Sequence, residues 1–198
     1  MDHWKDDYEK ILVERAVMSE ADLSGTILRL PMVYGPGDPQ HRLFGYIKRM
    51  EDRRPAIILD EGTAAWRSSR GYVENVAAAI ALAVVDERAQ GRIYNVGEDH
   101  ALSEAEWVRA IGSVGGWPGD IVTAPRAELP SSLAGDLNTD QSWVVDTTRI
   151  RQELGYAEAV SRDEALRRTI LWERAHPPGQ VDSRQFDYAA ENTVLAGR

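Results

Sequence analysis

The first residues that could do chemistry are a tyrosine and a lysine near the start of the chain. Tyr8 and Lys10 stand two residues apart, and Glu14 follows. An ammonium group beside a phenol lowers the pKa of the phenol, so that the tyrosinate can act as a general acid or base. Residues two apart on a regular helix lie about 200° from each other. Tyr8 can therefore share a catalytic role with Lys10 only if the helix begins after it.

Two arginines offer a second kind of chemistry. Arg67 and Arg70 lie in the segment 66–77 (WRSSRGYVENVA). A guanidinium binds phosphate oxygens through paired, charge-assisted hydrogen bonds, so these side chains are candidates for holding a phosphorylated substrate. The alternative is that they are two solvated arginines on the surface of an acidic protein.

The elements that must position these side chains alternate between helices and strands. Hydrophobic periodicity predicts helices at residues 4–21, 43–50 and 73–85. Short apolar segments bounded by glycine or proline predict strands at residues 26–30, 56–59 and 92–96. Residues 148–154 predict a further helix that ends at Gly155. This order is typical of an α/β fold.

Two further helices are predicted from capping signals, one from residue 103 to about residue 112 and one that begins at residue 161. Ser103 with Glu106, and Ser161 with Glu164, match the capping box, which satisfies the first free amides of a helix. The segment 73–85 is apolar on nearly all sides, which predicts burial against several neighbours rather than at a surface.

Composition excludes several classes of function. The 198 residues include 23 basic and 32 acidic side chains, and the net charge of −9 argues against binding to nucleic acid. There is no cysteine, which suits a reducing cytoplasm, and the four histidines are too scattered for a metal site. The longest apolar run, residues 76–85, is far shorter than the roughly 20 residues that span a bilayer. We therefore expect a cytoplasmic protein without metal, membrane or nucleic-acid partners.

Several motifs together resemble one known family. Residues 8–14, 29–38 (RLPMVYGPGD) and 71–76 (GYVENV) follow the order and spacing of the second half of an extended short-chain dehydrogenase/reductase, the family of NAD(P)-dependent epimerases and dehydratases. Residues 93–97 (IYNVG) and 146–156 (DTTRIRQELGY) resemble its later landmarks. The resemblance implies a partial Rossmann-type, doubly wound α/β fold with a small C-terminal substrate-binding lobe over residues 1–178. Residues 179–198 would be a polar, peripheral tail.

The resemblance also implies roles for individual residues. The catalytic pair would be Tyr8 and Lys10, although the family places its tyrosine four residues before the lysine, where this chain has Asp6. The family's phosphate-binding arginine would fall at Ser68, between the two arginines of this chain. The implied cofactor-binding set is Lys10, Pro31, Met32 and Val33, and the implied substrate-binding set is Tyr34, Arg67, Arg70 and Asn95.

The glycine-rich loop that holds the dinucleotide in this family is absent from the sequence. Residues 112–116 (GSVGG) follow a predicted helix instead of a strand, so we interpret them as a helix terminator. NAD or NADP is then expected for a complete homologue, and this chain alone should not bind either tightly.

These observations favour the substrate-side portion of an epimerase, dehydratase or reductase acting on a nucleotide-sugar-like substrate. As a truncated, split or incomplete gene product, it would be inactive alone. It is expected to form a dimer, or to pair with a separate chain that binds the cofactor. The alternative is a non-catalytic binding or regulatory remnant of the same fold.

Overall fold

The computed structural model describes residues 9–130, 133–134 and 137–197. The helices are α1 (Lys10–Ser19), α2 (Phe44–Glu51), α3 (Glu61–Ala65), α4 (Val73–Val85), α5 (Glu104–Gly115), α6 (Thr148–Leu154), α7 (Arg162–Ala175) and α8 (Tyr188–Ala196). The strands are β1 (Ile27–Arg29), β2 (Met32–Tyr34), β3 (Ala56–Asp60), β4 (Arg70–Tyr72), β5 (Ile93–Asn95) and β6 (Asp120–Ala124).

A proline divides one extended segment into the two strands β1 and β2. Pro31 has no amide proton to give to a strand ladder. Before it, β1 pairs in parallel with β5, and after it, β2 pairs in parallel with β4. Met32 is the register partner of Arg70, and Tyr34 is the register partner of Tyr72. Because alternate residues of a strand share a face, these four side chains lie on one side of the pair.

The third parallel pair joins β3 and β6, and helices cover it. All five residues of β3 are buried. One core cluster joins β3 and β6 to α3 and α5 through Ile57, Ile121, Ala64 and Val108. A second cluster joins α2, α5 and α7 to β2 and β4, and a third joins α4, β5 and α6. The α/β expectation is therefore confirmed, with every described strand pair parallel.

The two predicted capping boxes have different outcomes. At α5 the box is complete, because the Ser103 hydroxyl accepts from the Glu106 amide and the Glu106 carboxylate accepts from the Ser103 amide at 2.7 Å. At α7 the Ser161 hydroxyl accepts from the Glu164 amide at 3.4 Å. The Glu164 carboxylate instead binds Arg167 and Arg168, so only half of the box forms.

Helix α4 is buried on one face, which corrects the prediction of burial on several sides. Its buried residues are Asn75, Val76, Ala79 and Ala83. Val84 and Val85 are 79% and 78% exposed, and Ile80 is 39% exposed. Contacts among the described residues thus cover only part of the apolar surface of this helix.

The tail contains a helix with a buried charge, where the sequence favoured a polar, peripheral segment. Glu191 of α8 is 1% exposed. Its carboxylate accepts hydrogen bonds from Arg49 at 2.8 Å and from Arg54 at 3.0 Å. The two arginines compensate the buried charge, which attaches α8 to the end of α2 and the start of β3.

Candidate functional site

A cavity of about 370 Å³ opens beside β2 and β4, and three of the predicted site residues line it. Met32, Tyr34 and Arg70 contribute from the shared face of this strand pair. The walls come from α2 and α5 and from the loops around Trp66 and Trp143. We call this cavity the aromatic pocket, after its lining residues Tyr34, Tyr46, Trp66, Trp107 and Trp143.

Arg70 is held in the pocket by a buried ion pair. Its Nη2 donates to Oε2 of Glu104, and Tyr46 donates to the other carboxylate oxygen at 2.7 Å. The guanidinium carbon lies 4.6 Å from the centre of the Trp107 ring, within range for a cation–π contact. Burial, and to a smaller extent the Glu104 carboxylate, raises the pKa of Tyr46, which keeps its hydroxyl protonated as a donor.

One guanidinium nitrogen of Arg70 has no hydrogen-bond partner in the part of the chain that the structure describes. Its Nη1 is buried and makes no hydrogen bond to any residue that the structure describes. A buried donor without an acceptor is costly, and a ligand oxygen that reached this nitrogen would remove that cost. Guanidinium nitrogens bind carboxylate or phosphate oxygens well, so Arg70 suits an anionic ligand.

Two tryptophans form the outer wall of the pocket. Trp66 is 4% exposed, and its indole nitrogen donates to the carbonyl oxygen of Gln141 at 2.9 Å. Trp143 packs its edge against Trp66, with 5.3 Å between the ring centres, and is itself 58% exposed. Aromatic faces of this kind can accept a sugar or a base by stacking and apolar contact.

Tyr34 lines the pocket with its ring, but its hydroxyl is engaged elsewhere. The hydroxyl donates to Oε1 of Glu98 at 2.9 Å, and Arg162 donates to Oε2 of the same carboxylate at 2.7 Å. Burial and the neighbouring Glu98 charge raise the pKa of Tyr34. Its phenol is therefore a structural donor in this arrangement rather than a ready proton acceptor.

The other predicted substrate residues lie outside the pocket. Arg67 is exposed, donates to the Ala101 carbonyl at 2.9 Å and lies 3.3 Å from Glu106. Asn95 of β5 donates to the carbonyl oxygen of Asp146 at 3.0 Å. Of the predicted substrate-binding set, the structure thus brings only Tyr34 and Arg70 together around one cavity.

The predicted catalytic and cofactor residues occupy separate positions. Lys10 is the exposed first residue of α1, and the Glu9 side chain caps this helix. The helix begins after Tyr8, as a shared role would require, and Tyr8 itself lies outside the described residues. Of the other predicted cofactor residues, Met32 lines the aromatic pocket, and Val33 lines a smaller cleft beside it.

The packing of Pro31 against the neighbouring strand β4 requires a glycine at residue 71. A Cβ at Gly71 would lie 2.8 Å from Cγ of Pro31 and 2.8 Å from Cγ2 of Val76. Such a contact is too close, so the absence of a side chain at Gly71 allows β4 to approach Pro31. Arg70, the neighbour of Gly71, reaches the pocket floor through this close packing.

The sequence motifs do not indicate several residues that build the site. Glu104, Tyr46 and Trp107 surround Arg70 but belong to segments noted only for helix formation. The Arg70–Glu104 pair joins positions 34 residues apart, and no local spacing connects them. An acidic residue at the first position of a predicted helix was the only available signal, and it is equally typical of helix capping.

Residues 7–97 match the NAD dependent epimerase/dehydratase family. This match supports the resemblance that the sequence motifs indicate. The predicted recognition is confirmed, since the matched segment holds the strand, loop and helix motifs on which it rested.

Two curated proteins are similar to the chain, and the name of one of them agrees with the family match. The chain is 26% identical over 189 residues to the uncharacterized protein y4nL of Sinorhizobium fredii (strain NBRC 101917 / NGR234), an alignment that covers 82% of this chain and 52% of that protein. It is 34% identical over 88 residues to a dTDP-glucose 4,6-dehydratase of Streptomyces griseus, covering 43% of this chain and 24% of that enzyme. The chain thus spans at most about half the length of these relatives.

A solved structure supports the fold. DesIV, a dTDP-glucose 4,6-dehydratase from Streptomyces venezuelae solved with NAD bound, aligns with a TM-score of 0.59 and 25% identity, over 83% of this chain and 48% of that enzyme. The Rossmann-type α/β prediction is therefore confirmed. As with y4nL, the aligned region is about half of the larger protein.

The described residues do not form the pyrophosphate cradle that the family's cofactor needs. Such a cradle is a glycine-rich turn between a strand and the start of a helix. Here α3 follows β3 directly, and α4 follows β4 directly. The loop from β2 to α2 holds Gly35 and Gly37, but Gln40 stands where the G-x-G-x-x-G pattern requires its third glycine. The glycine run at 112–116 ends α5, with Gly116 in the left-handed region at φ 71°. The described residues therefore lack the family's glycine-rich turn for the pyrophosphate.

Metal-binding clusters and membrane-spanning helices are both absent from the described residues. Among the described residues, no group of three or more His, Cys, Asp or Glu side chains is placed to hold a metal ion. Within the same residues, the helices are too short or too polar to cross a bilayer.

Proposed function

We propose that this chain is the substrate-side portion of an NAD(P)-dependent epimerase, dehydratase or reductase, and that the aromatic pocket binds a nucleotide-sugar-like substrate. One observation carries the proposal: Arg70, whose guanidinium keeps one buried nitrogen without a partner among the described residues, lines a cavity walled by tryptophans. A nucleotide sugar offers phosphate oxygens to such a donor and a ring to such walls. The relatives named for dTDP-glucose support this choice of substrate class.

The residues around Arg70 divide the binding task. Glu104 and Tyr46 fix the guanidinium, so that little side-chain entropy is lost when a phosphate binds. Trp66 and Trp143 provide apolar contact area at the mouth of the pocket. Arg67 and Asn95, the other two predicted substrate residues, would contact only parts of a substrate that extend beyond the pocket.

We propose that residues of this chain contact the cofactor only as part of a complete homologue. There, Lys10, Pro31, Met32 and Val33 would border the nicotinamide end of NAD or NADP, with Tyr8 and Lys10 as the proton-transfer pair. By itself the chain should bind neither dinucleotide tightly and should be inactive. We also propose a cytoplasmic location, because a chain without cysteine suits a reducing compartment.

A second candidate function is a binding or regulatory remnant without catalysis. The engagement of the Tyr34 hydroxyl by Glu98 favours it, as does the missing pyrophosphate cradle in the described residues. In this case the aromatic pocket would still bind its ligand, but addition of the cofactor-binding half of a homologue would not produce turnover.

Calorimetric titration with dTDP-glucose and UDP-glucose tests the pocket. We expect saturable binding that Arg70→Lys weakens by about tenfold, because lysine keeps the charge beside Glu104 but lacks the second nitrogen. Arg67→Lys, outside the pocket, is the matched control and should bind almost as the parent chain does. Absence of binding by the folded parent chain, or an equal loss in both variants, would refute the assignment of the pocket.

Titration with NAD⁺, NADH, NADP⁺ and NADPH tests the substrate-side assignment separately. We expect no binding up to millimolar concentration. Micromolar binding would contradict the proposal, because some part of the chain or of an oligomer would then form a dinucleotide site. Sugar-nucleotide binding without turnover, after co-expression with a homologue's cofactor-binding half, would favour the regulatory alternative.

A further inference from the structure

A second cavity, of about 550 Å³, lies at the other end of α2 and shares no lining residue with the aromatic pocket. It is a groove between the C-terminal end of α2, the C-terminal end of α5 and the face of α7. Its floor is apolar and includes Ile47, Ile111 and Ile170, with Trp117 in the wall. A cavity of this size is within the usual range for small-molecule sites. We call it the α2–α7 groove.

Glycines keep the groove open. Gly115 is the last residue of α5, and Gly116 follows it with φ 71°. A Cβ at Gly115 would make an ordinary contact of 3.7 Å with Ile170, and a Cβ at Gly116 would meet nothing within 4 Å. A larger side chain at residue 115 would therefore occupy space that is now part of the groove.

The tryptophan in the wall is fixed. A Cβ at Gly119 would come within 2.2 Å of the Trp117 ring, and one at Gly112 would come within 2.8 Å. The Trp117 indole nitrogen donates to the Arg54 carbonyl at 2.8 Å. Packing between two glycines and this hydrogen bond hold an aromatic face in one orientation beside the groove.

The rim of the groove carries one surplus positive charge. Three arginines and one glutamate line it. Arg174 donates to Glu51 at 2.5 Å, and Arg54 donates to Glu191 at 3.0 Å. The guanidinium of Arg53 forms no hydrogen bond or ion pair with any described residue, although the chain as a whole has a net charge of −9. An anionic group at the rim would therefore find one uncompensated cation.

From this combination we infer that the α2–α7 groove is a binding site for an amphipathic organic anion, with a flat apolar body against Trp117 and Met50 and a carboxylate beside Arg53. The apolar body gains from leaving water, and the charged group fixes its direction. The site is independent of the proposed substrate pocket. It would remain if the nucleotide-sugar proposal failed.

Calorimetry with 2-naphthoate as the probe tests this inference. We expect saturable binding of one probe per chain, weakened about tenfold by Arg53→Glu, since the reversal replaces attraction by repulsion. The neutral analogue 2-naphthalenemethanol should also bind about tenfold more weakly than the carboxylate. Gly115→Leu, which fills the groove, should abolish binding. Arg109→Glu, an exposed change on α5 outside the groove, is the matched control and should leave binding unchanged.

Thermal denaturation of each variant establishes that it is folded before binding is compared. Absence of saturable binding to the folded parent chain would overturn the inference. Equal binding of the neutral analogue would overturn the role of Arg53, and undiminished binding by Gly115→Leu would show that the probe sits elsewhere. Retention of dTDP-glucose binding by the groove variants would separate the two sites.

Discussion

Arg70 and Glu104 form a buried ion pair, and each charge is stable in its position only because the other lies beside it. Both side chains are about nine-tenths buried, and an isolated charge at that depth would be strongly destabilising. The two charges neutralise each other, and one guanidinium nitrogen is left without a partner among the described residues. Stability and ligand recognition therefore depend on the same side chain, and their effects must be separated by choosing which partner to change.

Glu104→Gln removes the negative charge while keeping the side-chain size. Arg70 would then be a buried cation without a counter-ion, and we expect the free energy of unfolding to fall by about 3 kcal/mol. Tyr46→Phe, which removes only the 2.7 Å hydrogen bond to Glu104, should cost about 1 kcal/mol. Urea denaturation of both variants measures the difference. A smaller loss in Glu104→Gln than in Tyr46→Phe would contradict this account of the pair.

Among individual residues, the sequence predicted part of the site. Arg70 was a candidate because guanidinium chemistry and its position near a helix start both pointed to phosphate. Asn95 and Tyr34 were expected in the site as well, but the Asn95 amide binds a backbone carbonyl and the Tyr34 hydroxyl binds Glu98. Which partner a polar group finds depends on tertiary contacts that no local motif specifies.

Some secondary-structure elements follow from their local sequence, and others form only through contacts with distant residues. Strands β1, β3 and β5 were predicted from their own apolar residues. Strands β2 and β4 were not, because β2 lies between Pro31 and Gly35 and β4 is the sequence Arg-Gly-Tyr. Their extended form comes from pairing with each other and from burial against Trp107 and Glu104. Strand β6 follows Pro118 and Gly119 and is stabilised by pairing with the buried strand β3.

Helix capping gives a prediction at the element scale. Ser103→Ala should lower the free energy of unfolding by about 1–2 kcal/mol, because the complete box at α5 loses the serine acceptor. Ser161→Ala should cost about 0.5 kcal/mol, since its bond to the Glu164 amide is long and Glu164 binds arginines instead. Chemical denaturation of the two variants provides the comparison. Equal losses would show that the reciprocal bond from Glu106 adds nothing.

For the whole molecule, the exposed face of α4 is the main feature that contacts within the chain leave unexplained. Ala77, Ile80, Ala81 and Val84 are exposed and recur at the spacing of one helix face. No charged residue occurs between residues 75 and 85. Two such faces can pack against each other across a two-fold axis, since small residues permit close approach. We propose that a second copy of this chain covers the face.

Sedimentation velocity over a range of concentrations tests the dimer. We expect the parent chain to associate and the double variant Ile80→Glu with Val84→Glu to sediment as a 22.1 kDa monomer at all concentrations. Leu171→Glu, at a 50% exposed position on α7, is the control and should not change the association. A monomeric parent chain would refute the second copy and leave a separate cofactor-binding chain as the partner to seek.

The parallel pairing of all described strands also sets the order in which this protein can form during synthesis. Ile27 pairs with Ile93, Met32 with Arg70, and Ala56 with Asp120. A strand that leaves the ribosome early therefore waits for a partner made much later, and no pair can form until β4 has emerged. During that interval the edges of β1, β2 and β3 are open to other chains. Translation speed and chaperone capture should consequently influence the yield of folded protein more strongly than they do for a protein built of hairpins.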